Sequence, residues 1–132
     1  DNGHAIHPNH PEYSDAFNAP IMGGGVVMKF NANQRYTTDA VSAAIFRKIC
    51  KEVNVPVQDY SNRADIVGGS TLGHISLTHV SVPTADVGLP QLAMHSCYET
   101  AAIEDLNYLE TAMTAYYGTT LELTREGGCI IR

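Results

Sequence analysis

Two amphipathic stretches of helical period, residues 38–53 and 98–117, alternate with short apolar runs of strand length, and this alternation restricts the fold more than any other feature of the chain. In the first stretch Val41, Ala44, Ile45, Ile49 and Val53 recur at helical spacing, and Phe46 and Cys50 widen the stripe. Thr37 or Thr38 is placed to cap its first N–H groups; Asp39 suits the positive end of the helix dipole, and Lys48 and Lys51 the negative end. In the second, Ile103, Leu106, Leu109, Met113 and Tyr116 form the expected core face, Gly118 stops the helix, and Glu104 and Asp105 read as a solvated acidic pair. The strand-length runs are residues 26–30 after the Gly23-Gly24-Gly25 turn, Val55-Pro56-Val57, residues 80–87, and residues 121–123 ahead of a polar tail. Lys29 interrupts the first of these runs: buried, its ammonium would want a carboxylate, but the local pattern favours the charge of an edge strand. The order predicts an α/β layered sandwich, with a mainly parallel sheet flanked by helices, as a single domain over residues 1–132.

Charge and composition narrow the partners. The formal net charge is −6, and only 8 lysines and arginines are present without a basic cluster, which excludes a nucleic-acid surface. No apolar run approaches the roughly 20 residues that cross a bilayer, and no signal, transit or lipidation motif is visible, so no membrane partner is expected. Cys50, Cys97 and Cys129 are odd in number and form no CxxC pair, which suggests reduced thiols in a cytoplasmic protein. The chain begins at Asp1 and not at Met, as a processed product or a piece of a longer chain would.

Polar chemistry concentrates in three places. Residues 86–99 read as a strand running into a turn before the long helix, with His95 at the break; such a histidine is either a ligand or acid/base group at a strand end, or a capped or core histidine. His4 and His7 are three apart, but Pro8 makes a continuing helix unfavourable, and as a free-standing metal signal the cluster is weak. Gly68-Gly69-Ser70-Thr71-Leu72-Gly73 could aim backbone N–H groups at an anion, but it lacks the lysine of a phosphate loop and the spacing of a dinucleotide fingerprint.

Four separated blocks coincide with one family. DNGHAIHPN at residues 1–9, NQRY at 33–36, the GST turn at 69–71 and PQLAMHS at 90–96 together resemble the C-terminal part of the aspartyl aminopeptidases, in register to about Gly118. The resemblance implies part of the catalytic domain of a metallopeptidase that removes N-terminal Asp or Glu from peptides with two divalent metal ions, zinc or alternatively manganese or cobalt. Asp1 corresponds to the carboxylate on one metal and His95 to the histidine on the other. His4 and His7 fall in a block that makes subunit contacts, His7 matching the residue that reaches a neighbouring subunit's site. His7, Lys29, Gly69 and Ser70 match positions near the substrate. The family's remaining ligands and its general-base glutamate match positions upstream of Asp1, so no catalytic base is expected within these residues. The implied assembly is a homo-oligomer. With two ligands from separate metal positions, and an α-amino group beside Asp1 if the chain truly starts there, the isolated chain is expected to bind metal poorly and to be inactive. The competing reading is a non-catalytic remnant or assembly module of the same fold.

Overall fold

The computed structural model describes residues 1–70 and 72–132. Along the chain the elements are β1 (Gly3–His4), β2 (Val26–Lys29), α1 (Ala40–Glu52), β3 (Val57–Tyr60), α2 (Leu72–His79), β4 (Val87–Gly88), β5 (Pro90–Leu92), β6 (Thr100–Ala101), α3 (Ile103–Gly118), β7 (Leu121–Leu123) and β8 (Cys129–Ile131). The class is α/β as expected, and the sheets are small and mixed. One has the order β3-β2-β4, with β3 parallel and β4 antiparallel to the central strand; a second has the order β1-β5-β6; β7 and β8 form a hairpin. The polar tail expected after residue 123 therefore supplies a strand, Cys129–Ile131, that pairs back on Leu121–Leu123.

β2 organises both the core and the site because successive side chains of a strand point to opposite faces. Val26 and Met28 join Ala43, Phe46 and Cys50 of α1 and Ala112 of α3 in the main apolar cluster. Val27 faces the other way, with Tyr36 and Tyr60. Lys29 shares the Val27 side by the same alternation and is 1% exposed. It is not an edge-strand charge: β2 is paired on both sides, and the ammonium finds the carboxylates of Asp1 and Asp86 instead. Burial of Cys50 on the helix side pushes its thiol up to about 11, so it serves the core as a protonated, inert sulfur.

The cap of α1 is Asp39, and not Thr37 or Thr38. Its carboxylate accepts from the Ser42 N–H at 2.7 Å, and the Ser42 hydroxyl accepts in turn from the Asp39 N–H at 3.0 Å. Thr38 is used elsewhere, accepting at 2.7 Å from the Asp86 N–H. The Ser42 N–H bond holds the Asp39 carboxyl below the usual carboxylate range. A folded pKa below the unfolded one contributes stability above the unfolded pKa and loses it as pH falls through the folded one. Asp39→Ala is thus expected to cost about 1 kcal/mol at neutral pH, with the difference from wild type shrinking below about pH 4; urea melts at pH 7 and pH 3 check this.

α3 starts at residue 103, after a turn and the short β6; Leu109 and Met113 pack against the apolar cluster as expected, but the first turn does not bury the residues expected of it. Ile103 and Leu106 are 69% and 50% exposed, whereas Asp105 and Ala112 are fully buried. Asp105 is not solvated. Its carboxylate accepts from the Gly23 N–H at 2.6 Å and the Gly25 N–H at 2.8 Å, tying α3 to the turn that leads into β2. Gly23 and Gly25 adopt φ of +82° and +111°, a backbone that presents both N–H groups to one acceptor and that other residues reach only with strain. Residues 80–86 do not form the expected strand: α2 persists to His79, Pro83 has no N–H to offer a ladder, and pairing with β2 begins at Val87.

Candidate metal and substrate cleft

The N-terminal segment is sewn along β5, and this places the first site residues. β1 runs parallel to β5 with Gly3 opposite Pro90 and His4 opposite Gln91. The Asn2 carboxamide bonds both Gln91, at 2.6 Å, and the Leu89 N–H, at 2.9 Å. Asp1 passes so close to β4 that a Cβ on Gly88 would lie 2.2 Å from the Asp1 carbonyl oxygen, so no side chain is accommodated there. Asp1 is thereby delivered to Lys29, whose Nζ donates to Asp1 Oδ2 at 2.9 Å.

A cleft of ≈ 440 Å³ opens on this face of the molecule. It brings together every residue singled out in the sequence: Asp1, His4 and His7 from the N-terminal segment, Lys29 from β2, Gly69 and Ser70 from the loop before α2, and His95 after β5. Thr71, the third residue of the GST turn, lies outside the described residues. Lys29 is the cleft's buried cation, with Asp86 Oδ1 at 3.3 Å and the Tyr36 ring centroid at 4.3 Å. An ammonium in this position is stabilised by two carboxylates and an aromatic face together. Tyr36 and Tyr60 are linked through Asn62, which accepts from the Tyr36 hydroxyl at 3.0 Å and donates to that of Tyr60 at 2.9 Å. Burial, reinforced by Tyr36, holds the Tyr60 phenol above its ordinary range, so it stays neutral.

His95 sits in the tight turn that follows β5, as expected. Ala93 and His95 have φ of 54° and 69°, left-handed values that cost non-glycine residues energy. The Glu99 carboxylate accepts from the His95 N–H at 2.6 Å and so fixes the backbone of the turn. Two left-handed residues in three positions, in a turn held by its own carboxylate, aim an exposed imidazole at the cleft. His4 is held below the ordinary histidine range by desolvation on the cleft wall first, then by His95 and by Lys29, which supports a neutral ring beside His95. His7 lies on a turn whose ring nitrogen accepts from the Asn9 N–H at 3.2 Å, so His4 and His7 do not share a helix face, as Pro8 implied. Gly69 has open space around its missing side chain, whereas at Gly68 a Cβ would meet Asn62 Oδ1 at 2.6 Å, an atom that also accepts from the Tyr36 hydroxyl. The Ser70 hydroxyl lies 2.5 Å from His74 Nδ1.

Sequence reasoning missed Asp86, Tyr36 and Glu99. Tyr36 stood inside the NQRY block without a role, and Asp86 read as the end of a strand. Only the fold shows that one flanks the Lys29 ammonium and the other lies under it.

The donor chemistry of Asp1 and His95, a carboxylate and an imidazole, suits zinc. Their number does not complete a centre: catalytic zinc takes three protein ligands, and among the described residues no group of three or more His, Cys, Asp or Glu is gathered to hold a metal. The chain fits as part of a ligand set.

Residues 1–117 match the family described as aminopeptidase I zinc metalloprotease (M18). The chain belongs to this family. A probable M18 family aminopeptidase 2 of Pseudomonas paraeruginosa strain DSM 24068 / PA7 is 43% identical over 120 residues, which cover 91% of this chain and 28% of that protein. A chain of the cryo-EM structure of the Ape4 and Nbr1 complex superposes with a TM-score of 0.86 at 35% identity, over 89% of this chain and 22% of the other. The mApe1 dodecamer of S. cerevisiae superposes with a TM-score of 0.78 at 22% identity, over 89% of this chain and 25% of its own, and shares the fold. This M18 segment thus spans about a quarter of the length of its relatives. Among the described residues no helix is long and apolar enough to cross a membrane.

Proposed function

We propose that this chain is the portion of a dinuclear M18 metalloaminopeptidase catalytic domain that carries Asp1, His95 and the acid-recognising floor of the substrate cleft. The observation that carries the reading is the convergence of the seven expected residues on one cleft around a buried cation. Asp1 and His95 would each hold one of two divalent ions, zinc or alternatively manganese or cobalt; when bound, such ions polarise a scissile carbonyl and generate a nucleophile from water. The residues of this chain contribute to binding the substrate. Lys29, held from beneath by Asp86 and Tyr36, supplies fixed positive charge for the side chain of an N-terminal Asp or Glu. Gly69 and Ser70 line the cleft with His4 and His7, and the two histidines would meet a neighbouring subunit of a homo-oligomer there. The dodecameric mApe1, which has this fold, is consistent with such assembly. A cytoplasmic location and peptide substrates belong to the same reading. The general base is supplied by a glutamate outside these residues.

The test has two arms. The isolated chain is expected to show no turnover of aspartyl or glutamyl substrates with zinc or manganese; turnover proportional to its concentration and abolished by His95→Ala would overturn its inactivity. A chimera carrying this chain in place of the matching 120 residues of the Pseudomonas aminopeptidase is expected to cleave N-terminal acidic residues, and Lys29→Met to lower kcat/KM on them about 30-fold or more. Equal loss on neutral substrates would remove Lys29 from recognition. The thin ligand set favours one competing reading, a non-catalytic assembly module; a chimera that folds and assembles without activity or bound metal would establish it.

A further inference from the structure

We infer that Asp86 is the fixed anchor of the Lys29 ammonium and that Asp1 is its exchangeable partner. Asp86 is a positioning residue, and it keeps the cation at the cleft floor whichever way the Asp1 carboxylate turns. The two contacts differ in the direction opposite to their lengths. Asp1 Oδ2 lies nearer, at 2.9 Å against 3.3 Å for Asp86 Oδ1, but the Asp1 side chain is 38% exposed and the Asp86 side chain 9%. Lys29 Nζ also reaches the Asp1 backbone carbonyl, at 3.4 Å, whereas its contact with Asp86 is an ion pair. An ion pair on the solvent side is weakened by water, while one in a low-dielectric interior is not, so of the two carboxylates the more distant is the stronger electrostatic restraint.

The backbone supports the same ranking. The Lys29 N–H donates to the Asp86 carbonyl at 2.9 Å, which fixes Asp86 beside Lys29 at the edge of the β2–β4 pairing. The Asp86 N–H is itself held by Thr38 Oγ1 at 2.7 Å. Asp86 is therefore tied on both sides of its own Cα to buried residues, Lys29 and Thr38. The Asp1 carboxylate has no comparable restraint: it lines the cleft, and Lys29 is its hydrogen-bond partner among the described residues. A carboxylate that must serve a second cation can leave a buried lysine only if another counter-charge stays behind. Asp86 is that charge.

The inference rests on the proposed function only for why the ammonium must stay in place, and its test needs no activity. In this chain labelled with ¹⁵N-lysine, the Lys29 ammonium is expected to give a resolved signal protected from water exchange. Asp1→Asn should retain the signal, Asp86→Asn should lose it, and Asp86→Glu should restore it. Persistence of the signal in Asp86→Asn, or its loss in Asp1→Asn, overturns the assignment. If Asp86→Asn does not fold, Lys29→Met with and without Asp86→Asn decides the matter. An anchor that acts only through Lys29 leaves the double variant with a urea midpoint at or above that of Lys29→Met, and a lower midpoint overturns it. A chimera without peptidase activity would remove the enzymatic reading and leave this result intact.

Discussion

Asp105→Ala is expected to lower the stability of the chain by about 3 kcal/mol, because hydrogen bonds to a buried charged group contribute roughly 1.5–3 kcal/mol each and the orphaned donors lose solvent as well. The two donors are the N–H groups of Gly23 and Gly25, and the carboxylate that satisfies them is fully buried. The loss should appear as a drop of roughly 1.5–2 M in the urea midpoint with little change in slope. Asp105→Asn retains one acceptor and should recover part of the loss, while Ala at the neighbouring exposed Glu104 should stay within about 0.5 kcal/mol of wild type. Amide hydrogen exchange gives the local readout: protection at Gly23 and Gly25 should collapse in the alanine variant. Retained protection with an unchanged midpoint would show that the turn holds itself and that Asp105 is incidental to it.

Lys29→Met is expected to cost a similar amount, about 3–4 kcal/mol, since removing one partner from a buried ion pair leaves the other charge uncompensated. The stranded charge is Asp86, whose side chain is 9% exposed, and Asp1 has the cleft into which to turn. Methionine nearly conserves the volume, so a loss of this size is electrostatic and not a cavity effect; Lys29→Ala should lose more because it adds a void. Urea denaturation of the two variants separates the terms. A Lys29→Met chain as stable as wild type would mean that the ammonium contributes nothing net and that its burial serves recognition alone.

These two residues also show where sequence reading stops. The helix at residues 40–52, the end of α3 at Gly118 and the strands at Val26, Val57 and Leu121 follow from local periodicity and turn chemistry, signals that lie within one or two turns of chain. The gathering of Asp1, His4, His95 and the Gly69 turn was legible because whole motif blocks carry it. Lys29 and Asp105 were misread because their partners are distant: Asp1 is 28 positions from Lys29, and Gly25 is 80 from Asp105. A charged residue inside an apolar strand, or at the first turn of a helix, looks the same locally whether water or a remote group satisfies it. Asp86 escaped for the same reason, since its significance lies in the pairing of β4 with β2. The expected strand over residues 80–87 failed in the other direction, as alternation was read where only its last residue has a partner strand.

One strand of four residues forms the centre of the apolar core on one side and the floor of the cleft on the other. Under the proposed function, recognition and folding in this chain cannot drift independently. A substitution that reshapes the Lys29 side to accept a different substrate also changes the β2 backbone on which Val26 and Met28 pack. Altered specificity should come more readily from Gly69, which has open space around it and belongs to no core cluster, than from the floor itself.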